Sequence, residues 1–255
     1  MPRVPFTISH AAAALPLRRI GKFRLPLAAV MIGSMSPDYA YFMAGGFERV
    51  ETHSLPGIFV FCWPVSVALW LAFVHVLERP TTALLPENWR TRFPPSTREW
   101  SFRTLALASV AALLGALTHL AWDSFTHPGT VMTNAIPLLR EVAFRFDGWH
   151  LRWFAVLQIL SSVFGLVVLG IWAWKQPPGR YPRPALRAAV SNGLRLRAIL
   201  AIVAGSSALA IAGYLAHDDA NLRVRVFYFL IGGMTGLVLA WCVVALMVRR
   251  RFSAG

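Results

Sequence analysis

The sequence predicts an all-α, polytopic transmembrane helical bundle with six to seven membrane segments. First, 56% of the 255 residues are hydrophobic, whereas soluble domains are usually about 45–50% apolar. Second, the chain contains long apolar runs, and about 20 residues suffice to cross the roughly 30 Å hydrocarbon core of a bilayer. Third, the basic residues cluster between these runs, which is typical of membrane topology signals.

Four apolar runs are long enough to span the bilayer. They cover residues 57–77, 104–122, 151–174 and 225–248. A fifth run, 198–216, is about as long and is rich in small residues. A sixth, 25–43, is less regular because it contains Ser36-Pro37-Asp38.

The N-terminal segment 5–17 is apolar but short, since it would make only about 20 Å of helix. Two interpretations stay open for it. In one, the segment crosses or re-enters the membrane and places His10 on the outer side. In the other, it is an amphipathic helix that lies on the inner leaflet.

The positive charges predict the orientation of the bundle. The net charge is +14, and four loops or ends hold 18 of the 25 Lys and Arg residues. Because cytoplasmic loops carry an excess of Lys and Arg, these four regions, including the C-terminus, are predicted to be cytoplasmic. The same clustering predicts the lipid bilayer as a partner and argues against nucleic acid. The sequence leaves the oligomeric state open.

The composition along the chain divides it into three parts. Residues 1–175 form a membrane-embedded domain, 176–197 form a cytoplasmic linker rich in Pro and Arg, and 198–255 form a two-helix transmembrane extension. In the extension, a small-residue stripe at Ala204, Ala208 and Ala212 and the Gly232-x3-Gly236 pattern predict close helix packing.

His119 and Asp123 are the most informative pair of polar residues. They are four residues apart at the end of the apolar run 104–122, so both side chains lie on one helical face. An ionisable group near the bilayer centre costs about 2.5–3.5 kcal/mol on insertion scales, and a bound metal ion would offset that cost. The alternative is a hydrogen-bonded pair that holds helices together. Gly115, one turn earlier on this face, would let a neighbouring helix approach closely in either case.

Further His and Asp residues fall on the predicted outer side of the membrane. Imidazole and carboxylate groups together suit a divalent metal, Zn²⁺ first and Mn²⁺ or Fe²⁺ as alternatives. Each residue taken alone is also explained by solvation, a turn or a helix cap. We expect His127 to lie in a turn after the helix end near Phe125, because Pro128 disfavours helical geometry at His127; it is an additional candidate ligand. The outer group comprises Asp38, His53, His119, Asp123, His127, Asp147, His150, His217, Asp218 and Asp219.

Four sequence blocks resemble a bacterial membrane family, domain-of-unknown-function family 4184. They also resemble the broader group of inner-membrane metal-dependent hydrolases, some of which are described as LexA-binding. The resemblance covers about residues 5–175, and the last 80 residues lie outside it. The blocks are Pro5-Phe-Thr-Ile-Ser-His10, Gly33-Ser-Met-Ser-Pro37-Asp38, Thr52-His53-Ser54-Leu-Pro56-Gly57 and His119-Leu-Ala-Trp-Asp123-Ser-Phe-Thr-His127-Pro-Gly.

The resemblance implies five metal ligands, a seven-segment topology with an outward N-terminus, and location in the bacterial inner membrane. Two positions depart from the pattern: Ala40 replaces a second Asp, and Val50-Glu51 replaces an Arg-Gly pair. One potential ligand is therefore missing. The implied ligands are His10, Asp38, His53, His119 and Asp123.

Three functions are consistent with these features. The leading expectation is a metal-dependent hydrolase near the outer leaflet that acts on a lipid or phosphoester substrate, with Asp38 or Asp123 as general base. The second is a non-enzymatic membrane protein with a structural metal site or polar clamp. The third is an ion or metal transporter, which ranks last because the sequence has no visible repeats.

Overall fold

The computed structural model describes residues 7–20, 23–42, 49–93, 101–146, 149–178, 190–218 and 221–253. Within these ranges the chain is almost entirely helical, and its strands form two short antiparallel hairpins. Five helical stretches are long and apolar enough to cross a membrane. The main helices are α1 (Ala11–Ala14), α2 (Leu27–Met35), α3 (Leu55–Leu84), α4 (Phe102–Thr126), α5 (Trp153–Trp174), α6 (Asn192–Leu215) and α7 (Leu222–Ser253). The strands are β1 (Arg19–Ile20), β2 (Phe23–Arg24), β3 (Val142–Phe146) and β4 (Trp149–Arg152).

The structure confirms the all-α, polytopic membrane fold, although the predicted count of six to seven segments is higher than the five spans of the described residues. The difference lies at segments 5–17 and 25–43. In the second of these, α2 ends at Met35 and a 3₁₀ helix follows over Ser36–Phe42. Pro37 causes the change because it has no N–H for an α-helical hydrogen bond. The Ser36 hydroxyl donates instead to the Gly33 carbonyl, at 2.7 Å.

The N-terminal segment forms one arm of a helical hairpin, and α2 forms the other. Their basic ends are joined through the paired strands β1 and β2. In α1, Ala11 is 3% exposed and Ala14 is fully buried, which does not fit a helix lying on a leaflet. The segment therefore packs within the bundle and reaches back toward the end of α2. Residues 5 and 6 of the predicted segment lie outside the described ranges.

Helix α3 contains two wide turns, over Ile58–Cys62 and Phe73–Leu77, in which the hydrogen bonds are of the π type. Each lies just before a proline, Pro64 or Pro80. A proline ring clashes with the carbonyl four residues earlier, and a wide turn at that point makes room for the ring. The helix therefore continues through both prolines.

The fold divides into two compact units. Among the described residues, the first unit lies within 6–70 and 99–175, and the second lies within 71–98 and 176–255. The predicted division at residue 175 thus coincides with one boundary, but residues 71–98 group with the last two helices. Helix α6 begins at Asn192, inside the predicted linker 176–197, of which residues 179–189 lie outside the described ranges.

The last two helices pack through glycines. A Cβ atom on Gly232 would lie 2.2 Å from the Leu209 carbonyl oxygen, and one on Gly236 would lie 2.5 Å from that of Gly205. The Gly232-x3-Gly236 prediction is therefore confirmed. The predicted stripe of Ala204, Ala208 and Ala212 is wrong, because all three are exposed. The contact face is offset by about one residue and contains Gly205, Ser206 and the buried Ala210.

A second glycine contact joins α2 to α4. A Cβ atom on Gly115 would lie 2.2 Å from the Val30 carbonyl oxygen, and one on Gly33 would lie 2.3 Å from that of Ala112. The two backbones therefore touch at their crossing, as the position of Gly115 before His119 predicted.

We expect Gly115→Ala to lower the thermal unfolding temperature of the detergent-solubilised protein. Alanine is intrinsically better than glycine in a helix by about 0.5–1 kcal/mol, but overpacking against rigid backbone costs typically about 1–3 kcal/mol. Gly170→Ala is the matched control, because a Cβ atom there meets nothing within 4 Å. Equal unfolding temperatures for the two variants would contradict the close backbone contact.

Candidate metal centre

Five of the sequence-predicted residues meet at one end of the first unit. His10 ends the 3₁₀ helix Thr7–His10, and Asp38 lies in the 3₁₀ helix after α2. His53 lies just before α3, while His119 and Asp123 share one face of the last turns of α4. Four separate chain segments thus supply three imidazoles and two carboxylates.

The donor atoms of these residues lie close together. His53 Nε2 is 3.3 Å from Asp38 Oδ1 and 3.5 Å from Asp123 Oδ2. His119 Nε2 is 3.6 Å from Asp38 Oδ1 and 3.4 Å from Asp123 Oδ2. His10 Nε2 completes the group at 3.6 Å from Asp123 Oδ1.

These separations are those expected between ligands of a divalent ion. Two ligands about 2.0–2.2 Å from a tetrahedral ion are about 3.3–3.6 Å apart, which is longer than an ordinary N–H···O hydrogen bond of about 2.9 Å. Two overlapping sets could hold an ion, one with His10, Asp38 and His119 and one with His53, His119 and Asp123; within each set the ligand atoms lie within 4.8 Å of one another. His119 belongs to both sets.

The backbone of α2 fixes the orientation of His119. The ring Nδ1 lies 2.8 Å from the Ser34 carbonyl oxygen, and a carbonyl can only accept, so Nδ1 carries the proton. The lone pair of the neutral ring is therefore on Nε2, which faces the two carboxylates. Nε2 is buried and makes no hydrogen bond within the described residues. This is the tautomer that a metal-ligating histidine adopts.

Two threonines orient other members of the cluster. The Thr7 hydroxyl donates to Asp38 Oδ2 at 2.8 Å, which leaves Oδ1 facing the imidazoles. The Thr52 hydroxyl donates to the Pro37 carbonyl at 2.9 Å and lies 3.2 Å from His53 Nδ1. Because its proton is used on Pro37, Thr52 accepts from His53 Nδ1, and the lone pair of a neutral His53 is again on Nε2.

The electrostatics keep His10 neutral and Asp38 ionised. Burial, together with the positive charge that His119 carries when protonated, lowers the pKa of His10 to about 3. Burial by itself would raise the pKa of Asp38, but the charge of a protonated His119 and the hydrogen bond from His53 outweigh it and lower this pKa to about 2. The rings of His10 and His119 stack with centroids 3.8 Å apart. A neutral imidazole beside a carboxylate is the charge state that metal binding requires.

His127 lies beside the cluster and contacts it through Asp123. Helix α4 ends at Thr126, and the turn continues through Gly129, which has a φ of 76°. His127 is thus in the predicted turn. Its Nδ1 is 3.2 Å from Asp123 Oδ2 and its Nε2 is 3.4 Å from the Gln158 amide nitrogen. This arrangement makes Nδ1–H a donor to the Asp123 carboxylate.

The structure does not include the other described outer residues among the contacts of the cluster. His150 is exposed on β4. In the other unit, His217 stacks on Tyr228 with centroids 3.4 Å apart, and Asp218 pairs with Arg225 at 2.9 Å. Asp147 and Asp219 lie outside the described residues. Ala40, which replaces a carboxylate of the related pattern, packs against an apolar cluster that includes Ile58 and Phe61.

Sequence reasoning missed the residues that orient the ligands. Thr7 and Thr52 lie inside the four sequence blocks, but a threonine in a sequence gives no indication of which group its hydroxyl will bind. Gln158 is the one uncharged amide in the apolar run 151–174, and a lone polar group in a membrane helix is a detectable signal. Ser34 contributes through its backbone carbonyl, which the sequence pattern cannot identify.

The comparisons with known proteins identify the family. No curated protein and no solved structure matches the chain. A family model described as a domain of unknown function, DUF4184, matches residues 4–246. The match extends through α6 and into α7, so the expectation that the last 80 residues lie outside the family pattern is wrong. Because the model covers nearly the whole sequence, the chain belongs to the DUF4184 family.

Proposed function

We propose that this protein is a metal-dependent hydrolase of the bacterial inner membrane that acts on a lipid or lipid-linked phosphoester near the outer leaflet. The observation that supports the proposal is the convergence of His10, His53 and His119 with Asp38 and Asp123 at N···O separations of 3.3–3.6 Å. Zn²⁺ is the first candidate ion, and Mn²⁺ or Fe²⁺ are alternatives.

Charge and connectivity support the proposed orientation. Within the first unit, β1 and β2 form the basic turn of the N-terminal hairpin, while His10 and Asp38 lie at its other end. Since basic loops favour the cytoplasm, this arrangement supports a cluster on the outer side, and the basic residues Arg249, Arg250 and Arg251 support a cytoplasmic C-terminus.

The chain supplies both the ligands and a proton acceptor. A bound ion would lower the pKa of water and polarise an ester or phosphoryl oxygen. His119 and His53 would present Nε2 to an ion, because Ser34 and Thr52 accept their Nδ1 protons. One carboxylate, Asp38 or Asp123, would take the proton of the attacking water as general base. Thr7 and His127 orient these two carboxylates.

The burial of the cluster favours a second candidate, a structural metal site or polar clamp without turnover. The side chain of His119 is fully buried, and those of Asp38 and Asp123 are 6% exposed. Structural metal sites are closed, whereas catalytic sites keep an open position. His10 at 13% and His127 at 14% exposure form the most accessible edge, where a substrate would enter.

We expect purified wild-type protein to retain a divalent ion, His119→Ala to lose it and Asp123→Ala to retain less of it. His119 belongs to both three-residue sets, whereas Asp123 belongs to one of them. Elemental analysis after supplementation with zinc, manganese and iron measures the effect. His150→Ala is the control, because His150 is exposed and apart from the cluster. Negligible metal in the wild type would refute the metal centre.

We expect phosphoesterase activity in detergent that chelation abolishes and metal restores. Asp38→Asn and Asp123→Asn separate the two carboxylate roles, because loss of a general base costs about 10²–10⁴-fold in rate while loss of a ligand also removes the ion. Turnover and metal content are measured on the same preparations. Stoichiometric metal without turnover on a broad ester and phosphoester panel would favour the structural site.

We expect a topology reporter fused after Gly129 to report the outer side and one fused after Gln176 the cytoplasm. These positions flank α5, so a correctly inserted span must separate them. Alkaline phosphatase and fluorescent-protein fusions provide the two readouts in bacterial cells. The reverse pattern would overturn the charge argument and move the cluster to the cytoplasmic side.

A further inference from the structure

We propose that the β3–β4 hairpin is an amphipathic ribbon that lies in the membrane interface beside the candidate metal centre and binds anionic phospholipids. The inference is independent of the proposed function, because it needs neither a metal nor a reaction. It rests on the pairing, exposure, charge and connectivity of the described residues 131–146 and 149–153.

The two faces of the ribbon differ in chemistry. In an antiparallel pair, residues directly opposite share a face, and successive residues alternate between faces. Phe144 pairs with Leu151, and Arg145 pairs with His150. One face is therefore aromatic and aliphatic, while the other carries a guanidinium and an imidazole.

The apolar face is not covered by the described part of the chain. Phe144 is 59% exposed and Leu151 is 36% exposed. Trp153, whose ring lies 6.1 Å from that of Phe144, is 40% exposed. A lone two-stranded hairpin is marginally stable in water, so an uncovered apolar face of this kind requires an apolar partner.

Connectivity identifies the bilayer as that partner. Arg152 is the last residue of β4 and Trp153 is the first residue of α5, a helix apolar enough to cross a membrane. The ribbon therefore continues into a transmembrane span without a linker. Tryptophan at such a junction is typical of the membrane–water interface. In the short helices that precede the ribbon in the sequence, Val131 is 75% exposed and Leu138 is 55% exposed.

The charge of this region favours anionic lipid. Arg140, Arg145 and Arg152 are exposed, and Glu141 is the one acidic side chain among the described residues 131–152. The Arg152 guanidinium donates to the Arg140 carbonyl, which holds two of the cationic positions together. Each basic residue near an anionic leaflet strengthens binding to that leaflet by about fivefold.

The segment that leads from the candidate metal centre to the ribbon begins with a fixed turn. The Thr130 and Thr133 hydroxyls donate to the His127 carbonyl at 2.8 and 2.9 Å. These bonds fix the turn between α4, which carries Asp123, and the short helix that begins at Val131. Lipids gathered by the ribbon would lie close to the accessible edge of the cluster, because Gln158, in the second turn of the helix that follows the ribbon, has its amide nitrogen 3.4 Å from His127 Nε2.

Fluorescence quenching in lipid nanodiscs tests the orientation of the ribbon. Single cysteines are introduced as Phe144→Cys, Leu151→Cys, Arg145→Cys and His150→Cys in a background with Cys62→Ser and Cys242→Ser, and each is labelled with bimane. Phospholipid with brominated acyl chains should quench the labels at 144 and 151, and iodide should quench those at 145 and 150. Equal iodide quenching at all four positions would overturn the proposal. Protection of all four from both quenchers would also overturn it, because a protein partner or second copy would then cover the ribbon.

Moving the bromine between lipids tests the preference for anionic headgroups. At equal mole fraction, brominated phosphatidylglycerol should quench the label at 144 more than brominated phosphatidylcholine, by up to about fivefold per basic residue at low salt. Arg140→Gln combined with Arg145→Gln should remove this difference while leaving the quenching itself. Equal quenching by the two lipids in the parent protein would overturn the anionic specificity.

Discussion

The close crossing of α2 and α4 is the constraint on which the rest of the first unit depends. Gly33 and Gly115 lie where each backbone meets a carbonyl of the other helix. One turn beyond Gly115, His119 reaches the Ser34 carbonyl, and one turn beyond His119 lies Asp123. A larger residue at the crossing would separate the helices, and His119 would lose both its orientation and its contact with Asp38. The cluster is thus positioned by backbone contact, and its polar side chains fit the space that this contact leaves.

The same crossing explains how a membrane protein tolerates five ionisable groups in one buried place. Charged and polar groups without partners are costly in an apolar environment, and here each has at least one partner in the cluster. Thr7, Thr52 and the Ser34 carbonyl satisfy the outward-facing atoms, which leaves the inward-facing atoms to face one another. Gly165 contributes by allowing a close backbone contact, since a Cβ atom there would lie 2.7 Å from the carbonyl oxygen of Ser9, the residue before His10.

Much of the fold was predictable because membrane spans leave strong one-dimensional signals. Apolar length identified α3 to α7, and Gly232-x3-Gly236 identified the contact between the last two helices. The helical period placed His119 and Asp123 on one face. The sequence did not predict the N-terminal hairpin, because α1 and α2 are too short to be recognised as membrane spans and their burial depends on α4 and α5. The ligand-orienting contacts were also beyond the sequence, since Ser34 acts through its backbone and the roles of Thr7 and Thr52 depend on long-range packing.

The wide separation of the cluster residues along the chain also determines when the cluster can form. The hydrogen bond from His119 to Ser34 spans 85 residues, and His10 and Asp38 are synthesised long before α4. Contacts of such high sequence separation slow folding, because the loop-closure entropy is lost before the contact is gained. While the ribosome is still making α3, the tip of the N-terminal hairpin would carry a carboxylate whose partner is Thr7 and an imidazole that still lacks Asp123. Insertion of α4 would therefore complete the polar cluster and anchor the hairpin, which would couple membrane integration of this helix to maturation of the whole unit.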